Sequence, residues 1–137
     1  MAQLYKLSPS DFAYLYKECK HCYYLKVKEG IQRPASIMPG VFTALNTRIQ
    51  GSLLGKNLKT LSSNLPDCEV VTQEGYVESV VIPDTSCYIK GKYDLICKNP
   101  NGTYTLIDLK ISQPGEEKIE KYKTQLAAYK FSMENPV

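Results

Sequence analysis

At Cys68 the hydrophobic period of this chain changes from helical to alternating, and that change limits the folds open to it. Before it, apolar residues recur every three or four positions. Ser8-Pro9-Ser10-Asp11 reads as a helix start, with Pro9 at the first helical position and Asp11 placed like a capping box. Phe12, Leu15, Tyr16, Cys19, Cys22 and Tyr23 then predict one helix over 9–27, ended near Gly30. A second helix is expected from about Pro39-Gly40, burying Phe42, Leu45, Ile49 and Leu53. After Cys68 the pattern predicts strands. Residues 69–83 form one bent strand or two short ones, and 87–97 and 103–111 are the clearest. Asn99-Pro100-Asn101-Gly102 joins the last two as a hairpin, with Asn101-Gly102 supplying positive φ. A closing helix over 116–133, with Ile119, Tyr122, Leu126, Tyr129 and Met133 inward, begins with Glu116, Glu117 and Glu120, as the helix dipole favours. The order α, α, three-strand antiparallel meander, α is that of an α+β fold.

At 137 residues the chain is expected to be a single domain, 1–137. It contains 43% hydrophobic and 23% charged residues, an ordinary globular balance. No apolar run approaches the roughly 18 residues of a membrane helix. Met1-Ala2-Gln3-Leu4-Tyr5-Lys6 lacks the apolar core of a signal peptide, so a cytoplasmic location is expected, with no membrane partner. Five cysteines, an odd number, argue against a disulfide framework. Cys19 and Cys22 fall on the apolar stripe of the first helix and are expected to be core thiols, and Cys87 and Cys97 packing residues. Net charge is +3, and the only arginines are Arg33 and Arg48. A DNA partner, single- or double-stranded, would be held by lysine contacts to phosphate, with little sequence specificity and strong salt dependence.

The candidate chemistry lies between Tyr88 and Tyr129. Gly91-Lys92-Tyr93-Asp94 precedes the hairpin turn, and Ile107-Asp108-Leu109-Lys110 follows it. Asp108 and Lys110 share one face of their strand, and Asp94 falls within diagonal reach of Asp108. Two carboxylates on partly apolar strands repel each other unless a cation relieves them. Mg²⁺ or Mn²⁺, which prefer oxygen ligands and keep bound waters, suit such a pair. The lysine then stands ready to orient or deprotonate a water. Gln125 and Tyr129, four apart on the last helix, share a face; Gln125 is a candidate to orient the water or a phosphate, and Tyr129 to pack or hydrogen-bond beside it. Lys92, Lys118 and Lys121 are the candidate phosphate contacts. Asp-x-Lys alone is a common surface pair, so the weight rests on the ordered combination.

That ordered set resembles the RecB-like branch of the PD-(D/E)XK nuclease superfamily. The resemblance covers most of the chain. Leu7-Ser8-Pro9-Ser10-Asp11-Phe12 with Glu18-Cys19-Lys20-His21-Cys22-Tyr23-Tyr24-Leu25 looks like the branch's N-terminal segment, with Lys20 in place of the usual proline. The resemblance implies a restriction-endonuclease-like fold and a metal-dependent nuclease of exonuclease type, acting in DNA repair, recombination or defence. It implies that Asp94 and Asp108 bind Mg²⁺ or Mn²⁺, that the Leu109 carbonyl joins them, that Lys110 is catalytic, and that Gln125 and Tyr129 complete the motif.

The chain departs from the family in two respects. Many members carry a metal-binding histidine about four residues after a glycine; counted from Gly40, this chain has Ala44, and its only histidine is His21. The family's last core strand would follow Pro136, so that strand is expected to be missing. CRISPR-associated relatives hold an iron–sulfur cluster with one N-terminal and three C-terminal cysteines; the C-terminal set is absent here, so no such cluster is expected. Two other functions compete with the nuclease: a nuclease-like fold kept for DNA binding without catalysis, and a protein-interaction domain unrelated to nucleic acid.

Overall fold

Alternation after Cys68 does produce strands, but the ladder breaks where the sequence suggested continuity. In the computed structural model, which describes residues 2–137, the chain runs β1 (Tyr5–Leu7), α1 (Pro9–Ala13), α2 (Leu15–Glu18), α3 (Lys20–Tyr24), a π-helical turn (Leu25–Glu29), α4 (Gly40–Leu53), a 3₁₀ turn (Leu58–Thr60), β2 (Glu69–Gln73), β3 (Tyr76–Glu78), β4 (Cys87–Lys92), β5 (Leu95–Lys98), β6 (Tyr104–Ile107) and α5 (Glu116–Glu134). The fold is α+β. The expected meander is divided into two three-stranded sheets, β1-β4-β3 and β2-β5-β6. Glu74, at φ 51, separates β2 from β3, and Tyr93-Asp94 separates β4 from β5. Among the described residues, no helix is long and apolar enough to cross a membrane.

The chain forms two compact units. The first comprises the segment ending at Ser36, Tyr76–Gly91 and Gln113–Val137. Its sheet contains a strand that the sequence did not announce: β1 pairs parallel with β4, Tyr5 opposite Cys87 and Leu7 opposite Ile89. Ile89 is buried, and its amide donates to Ser79 Oγ at 2.9 Å. Against this sheet α5 buries Gln125, Ala128, Tyr129 and Ser132, spaced as one helical face. The inward stripe is therefore one of small and polar residues, while Ile119 and Leu126, expected inside, are exposed. Small side chains let a helix approach closely, and α1 lies against α5, with Tyr14 Oη 3.2 Å from Tyr122 Oη. Segment 135–137 pairs beside β3: Asn135 O accepts from Val80 N, and Val137 N donates to Glu78 O. This pairing is an isolated antiparallel bridge, Ser79 with Pro136, and not a strand.

The expected helix over 9–27 is three short helices and a π turn. It breaks at Tyr14, φ −116 and ψ −82, and again at Cys19, φ −157 and ψ 101. Asp11 does not act as a capping-box acid. It turns inward and takes Lys26 Nζ at 2.6 Å. Gly30, at φ 71, ends the run as expected.

The second unit comprises Ile37–Gly75 and Lys92–Ser112. Its core is Leu58, Cys68, Val70, Leu95 and Cys97, with Leu53, Ile107 and Leu109 packed against it. Cys97 sits in this core as expected, and burial followed by its contact with Cys68 pushes its thiol up to about 12. The hairpin closes through Asn99 N to Thr103 O at 2.8 Å. Gly102 alone takes the positive φ, at 83, while Asn101 accepts from Thr103 N through its side chain. Helix α4 packs beside β2, but the residue it buries is Gln50. Phe42 and Leu45, expected inside, are exposed.

Candidate functional site

The two acids of the sequence motif meet at the open end of the β5–β6 hairpin. The register pairs Lys98 with Tyr104, Cys97 with Thr105, Ile96 with Leu106 and Leu95 with Ile107. The position just beyond the last paired residues is Asp94 on one side and Asp108 on the other, and the Asp108 charge acts on Asp94. Neither residue continues the backbone ladder. Asp94 Oδ2 instead accepts the amide of Leu109 at 2.7 Å, so a side chain takes over the role of a strand carbonyl. The 108–110 segment lies outside β6, and this bond ties it to Asp94.

Lys110 Nζ lies 2.6 Å from Asp108 Oδ2. The Asp108 side chain is only 12% exposed and that of Lys110 26%, so water screens this pair less than a surface pair. Asp94 is half-buried, and its carboxyl is held above the ordinary aspartate value. Burial is the main cause and the Asp108 charge adds to it. The Leu109 amide, Lys110 and Gln50 oppose the shift. Such an environment favours a cation beside the ionised acid.

Gln50 was not among the residues singled out from the sequence. It is 1% exposed, and its Nε2 donates to Asp94 Oδ1 at 3.1 Å. Its Oε1 is buried and accepts no hydrogen bond among the described residues, nor does Asn46 Oδ1, one turn earlier on α4. A buried amide oxygen left without a donor costs roughly 1–3 kcal/mol. A bound cation is one partner that would satisfy it. The sequence does carry a signal for this face: Asn46 and Gln50 form a polar i, i+4 pair beside the apolar Ile49 and Leu53.

Asp94, Asp108, the Leu109 carbonyl and Gln50 Oε1 are all oxygen donors, the type that Mg²⁺ and Mn²⁺ take. Among the described residues, no three His, Cys, Asp or Glu side chains gather in one place. A cation here would therefore rest on two carboxylates, on amide and carbonyl oxygens and on water, which fits Mg²⁺ in particular because it keeps several waters. Ala44 offers no ligand, as the sequence implied.

Gln125 and Tyr129 belong to the other unit. Both are buried on α5, at 2% and 3% exposure, and Gln125 Oε1 accepts no hydrogen bond among the described residues. A Cβ added to Gly91 would lie 3.6 Å from Tyr129 Cε1. The three candidate lysines each have a partner within their own unit. Lys92 Nζ is 3.4 Å from Glu74 Oε2, Lys118 Nζ donates to Gln113 O at 2.7 Å, and Lys121 Nζ sits 4.1 Å above the Tyr14 ring. Cys19 is not a buried core thiol: it caps α3 and is partly exposed, as is Cys22.

The chain matches no family model and no curated protein to which it was compared.

Proposed function

We propose that this protein is a metal-dependent DNA nuclease of the RecB-like PD-(D/E)XK type, with a restriction-endonuclease-like fold. One observation carries the reading: two acids lie close together at the end of a hairpin, beside a lysine and a buried, unsatisfied amide oxygen. Asp94, Asp108 and the Leu109 carbonyl would hold Mg²⁺ or Mn²⁺, with Gln50 Oε1 as a further oxygen donor. When bound, the cation lowers the pKa of a coordinated water and offsets charge that develops on a phosphate. Lys110 supplies a fixed positive charge at the same place and positions the water or the phosphate oxygen. Asp108 holds Lys110 in that orientation. Gln125 and Tyr129 stay in the proposal as supporting residues, and Lys92, Lys118 and Lys121 as phosphate contacts, on the resemblance and the sequence alone.

The test is cleavage of single- and double-stranded DNA with Mg²⁺, Mn²⁺ or EDTA, with Lys110→Ala alongside. Metal-dependent cutting that vanishes in the variant, with an unchanged circular dichroism spectrum, supports the reading. Full cutting by Lys110→Ala overturns the assignment.

Ala44 motivates a second reading, a nuclease-like fold retained for DNA binding. It predicts salt-sensitive DNA binding with no cleavage under any divalent metal and no Mn²⁺ uptake in calorimetry. Mn²⁺ uptake that depends on Asp94 counts against it.

A further inference from the structure

In the first unit the sequence Cys19-Lys20-His21-Cys22 opens a helical run of ten residues, Lys20–Tyr24 continued by Leu25–Glu29. Cys19 is the N-cap, with extended backbone, and its Sγ accepts the amide of Cys22 at 3.2 Å. Caps are ordinarily Ser, Thr, Asp or Asn, because a neutral thiol is a poor acceptor. A thiolate is a good one. At this position a negative sulfur gains from the N3 amide and from the positive end of the helix. A third group adds to this. Arg33, whose Nη1 lies 3.0 Å from Glu18 Oε2, brings a positive charge close enough to favour an ionised Cys19 sulfur. Both thiols are partly exposed, so a reagent can reach them. In a helical turn, Cα atoms three residues apart are ~5 Å apart, inside the range that a disulfide spans.

We propose that Cys19 and Cys22 form a redox-active dithiol that reacts reversibly with low-molecular-weight disulfides of the glutathione type, Cys19 being the attacking sulfur. Hydrogen bonds from Cys22 and then the Arg33 guanidinium lower the Cys19 pKa against a raising effect of burial, in keeping with that role. The Cys19 thiolate attacks one sulfur of the disulfide. Its S–S bond breaks, and one thiolate leaves and takes a proton from solvent. Cys22 loses its proton to solvent and attacks Cys19 Sγ in the resulting mixed disulfide, expelling the second thiolate. Two electrons pass from the two protein thiols to the disulfide, which leaves as two thiols, and the protein holds a Cys19–Cys22 bridge. The bridged sulfur is a weaker acceptor than the thiolate, so oxidation loosens the cap of α3. The proposal does not depend on nuclease activity.

The full-length protein is equilibrated in glutathione buffers of graded redox ratio, quenched with an alkylating agent and mapped by peptide mass spectrometry. The expected result is a Cys19–Cys22 bridge at ratios that leave Cys68, Cys87 and Cys97 open to alkylation after unfolding. Cys22→Ser is expected to keep one glutathionyl adduct on Cys19, and Arg33→Gln to slow its formation about three- to tenfold. If the wild-type chain keeps both thiols at the most oxidising ratio, or bridges other cysteines first, the proposal is overturned. The wild-type arm needs no variant to fold.

Discussion

Gln50 Nε2 donates to Asp94 Oδ1 at 3.1 Å, while the carbonyl oxygen of the same amide, on a side chain 1% exposed, accepts nothing among the described residues. The orientation follows from Asp94: an acceptor-only carboxylate demands the amide nitrogen. One half of Gln50 is thus satisfied by the acid, and the other half awaits a donor or a cation.

Gln50→Glu tests which of the two it awaits. A third carboxylate near Asp94 and Asp108 adds repulsion in the metal-free protein and ligand charge in the loaded one. Thermal melting in EDTA is expected to fall below wild type, and the rise on adding Mn²⁺ to exceed that of wild type, because ligand binding adds to stability by mass action. A variant that melts lower in both conditions, with no larger metal response, would sink the role of Gln50 as a ligand.

Asp94 gives a pH prediction. Folding raises its pKa above the ordinary 3.8, burial being the first cause. The native protein therefore holds this proton to a higher pH than the unfolded chain does. Between 3.8 and the raised native value the unfolded state binds fewer protons, so stability falls as pH rises. Above the native value the loss is complete and constant. Asp94→Asn removes this decline, and the variant's amide can donate to a rotated Gln50. In urea denaturation without metal, the variant is expected to gain on wild type across that window and to stay level or ahead at neutral pH. Mn²⁺ should stabilise wild type and not the variant. A variant that loses ground steadily as pH rises through this window would contradict the assignment.

Close approach, rather than turn geometry, explains Gly91. A Cβ there would lie 2.6 Å from Pro9 Cδ and 2.9 Å from Pro9 Cγ. A proline ring cannot rotate away, so the strand or α1 must shift. Gly91→Ala is expected to cost roughly 1–3 kcal/mol, the usual range for overpacking, read as a lower urea midpoint with an unchanged m-value. A variant as stable as wild type would mean that α1 yields freely.

How much of this was legible in the sequence depends on whether local pattern or long-range pairing decided the outcome. Helix α5 was legible in its bounds, because acids at Glu116 and Glu117 and an unbroken helical period are local signals. Its buried face was not. Ile119 and Leu126 are the more apolar residues, but close packing selected Ala128 and Ser132 instead. The hairpin was legible from Asn99 to Gly102, and with it the meeting of Asp94 and Asp108. The break at Asp94 was not, because it depends on a side chain accepting an amide fifteen positions away. Strand β1 has three residues and exists through β4, so no periodicity within it could announce it. Gln50 was hidden because polarity on a helix ordinarily means solvent.

The pair Asp11–Lys26 shows the same substitution of a long-range contact for a local one, and it can be measured. The sequence placed Asp11 as a cap for its own helix, yet its carboxylate takes Lys26 Nζ at 2.6 Å, and its side chain is 12% exposed. The pair ties α1 to the π-helical turn that closes the N-terminal run. Breaking a shielded pair from one side leaves a charge uncompensated, which costs more than the pair is worth as a whole. Lys26→Met should therefore destabilise by about 1–3 kcal/mol, and Asp11→Asn with Lys26→Met should recover part of that loss. The coupling energy from the double-mutant cycle, read by urea denaturation, is expected at about 1 kcal/mol or more. A coupling near zero would show that Asp11 acts on α1 alone, as the local reading had it.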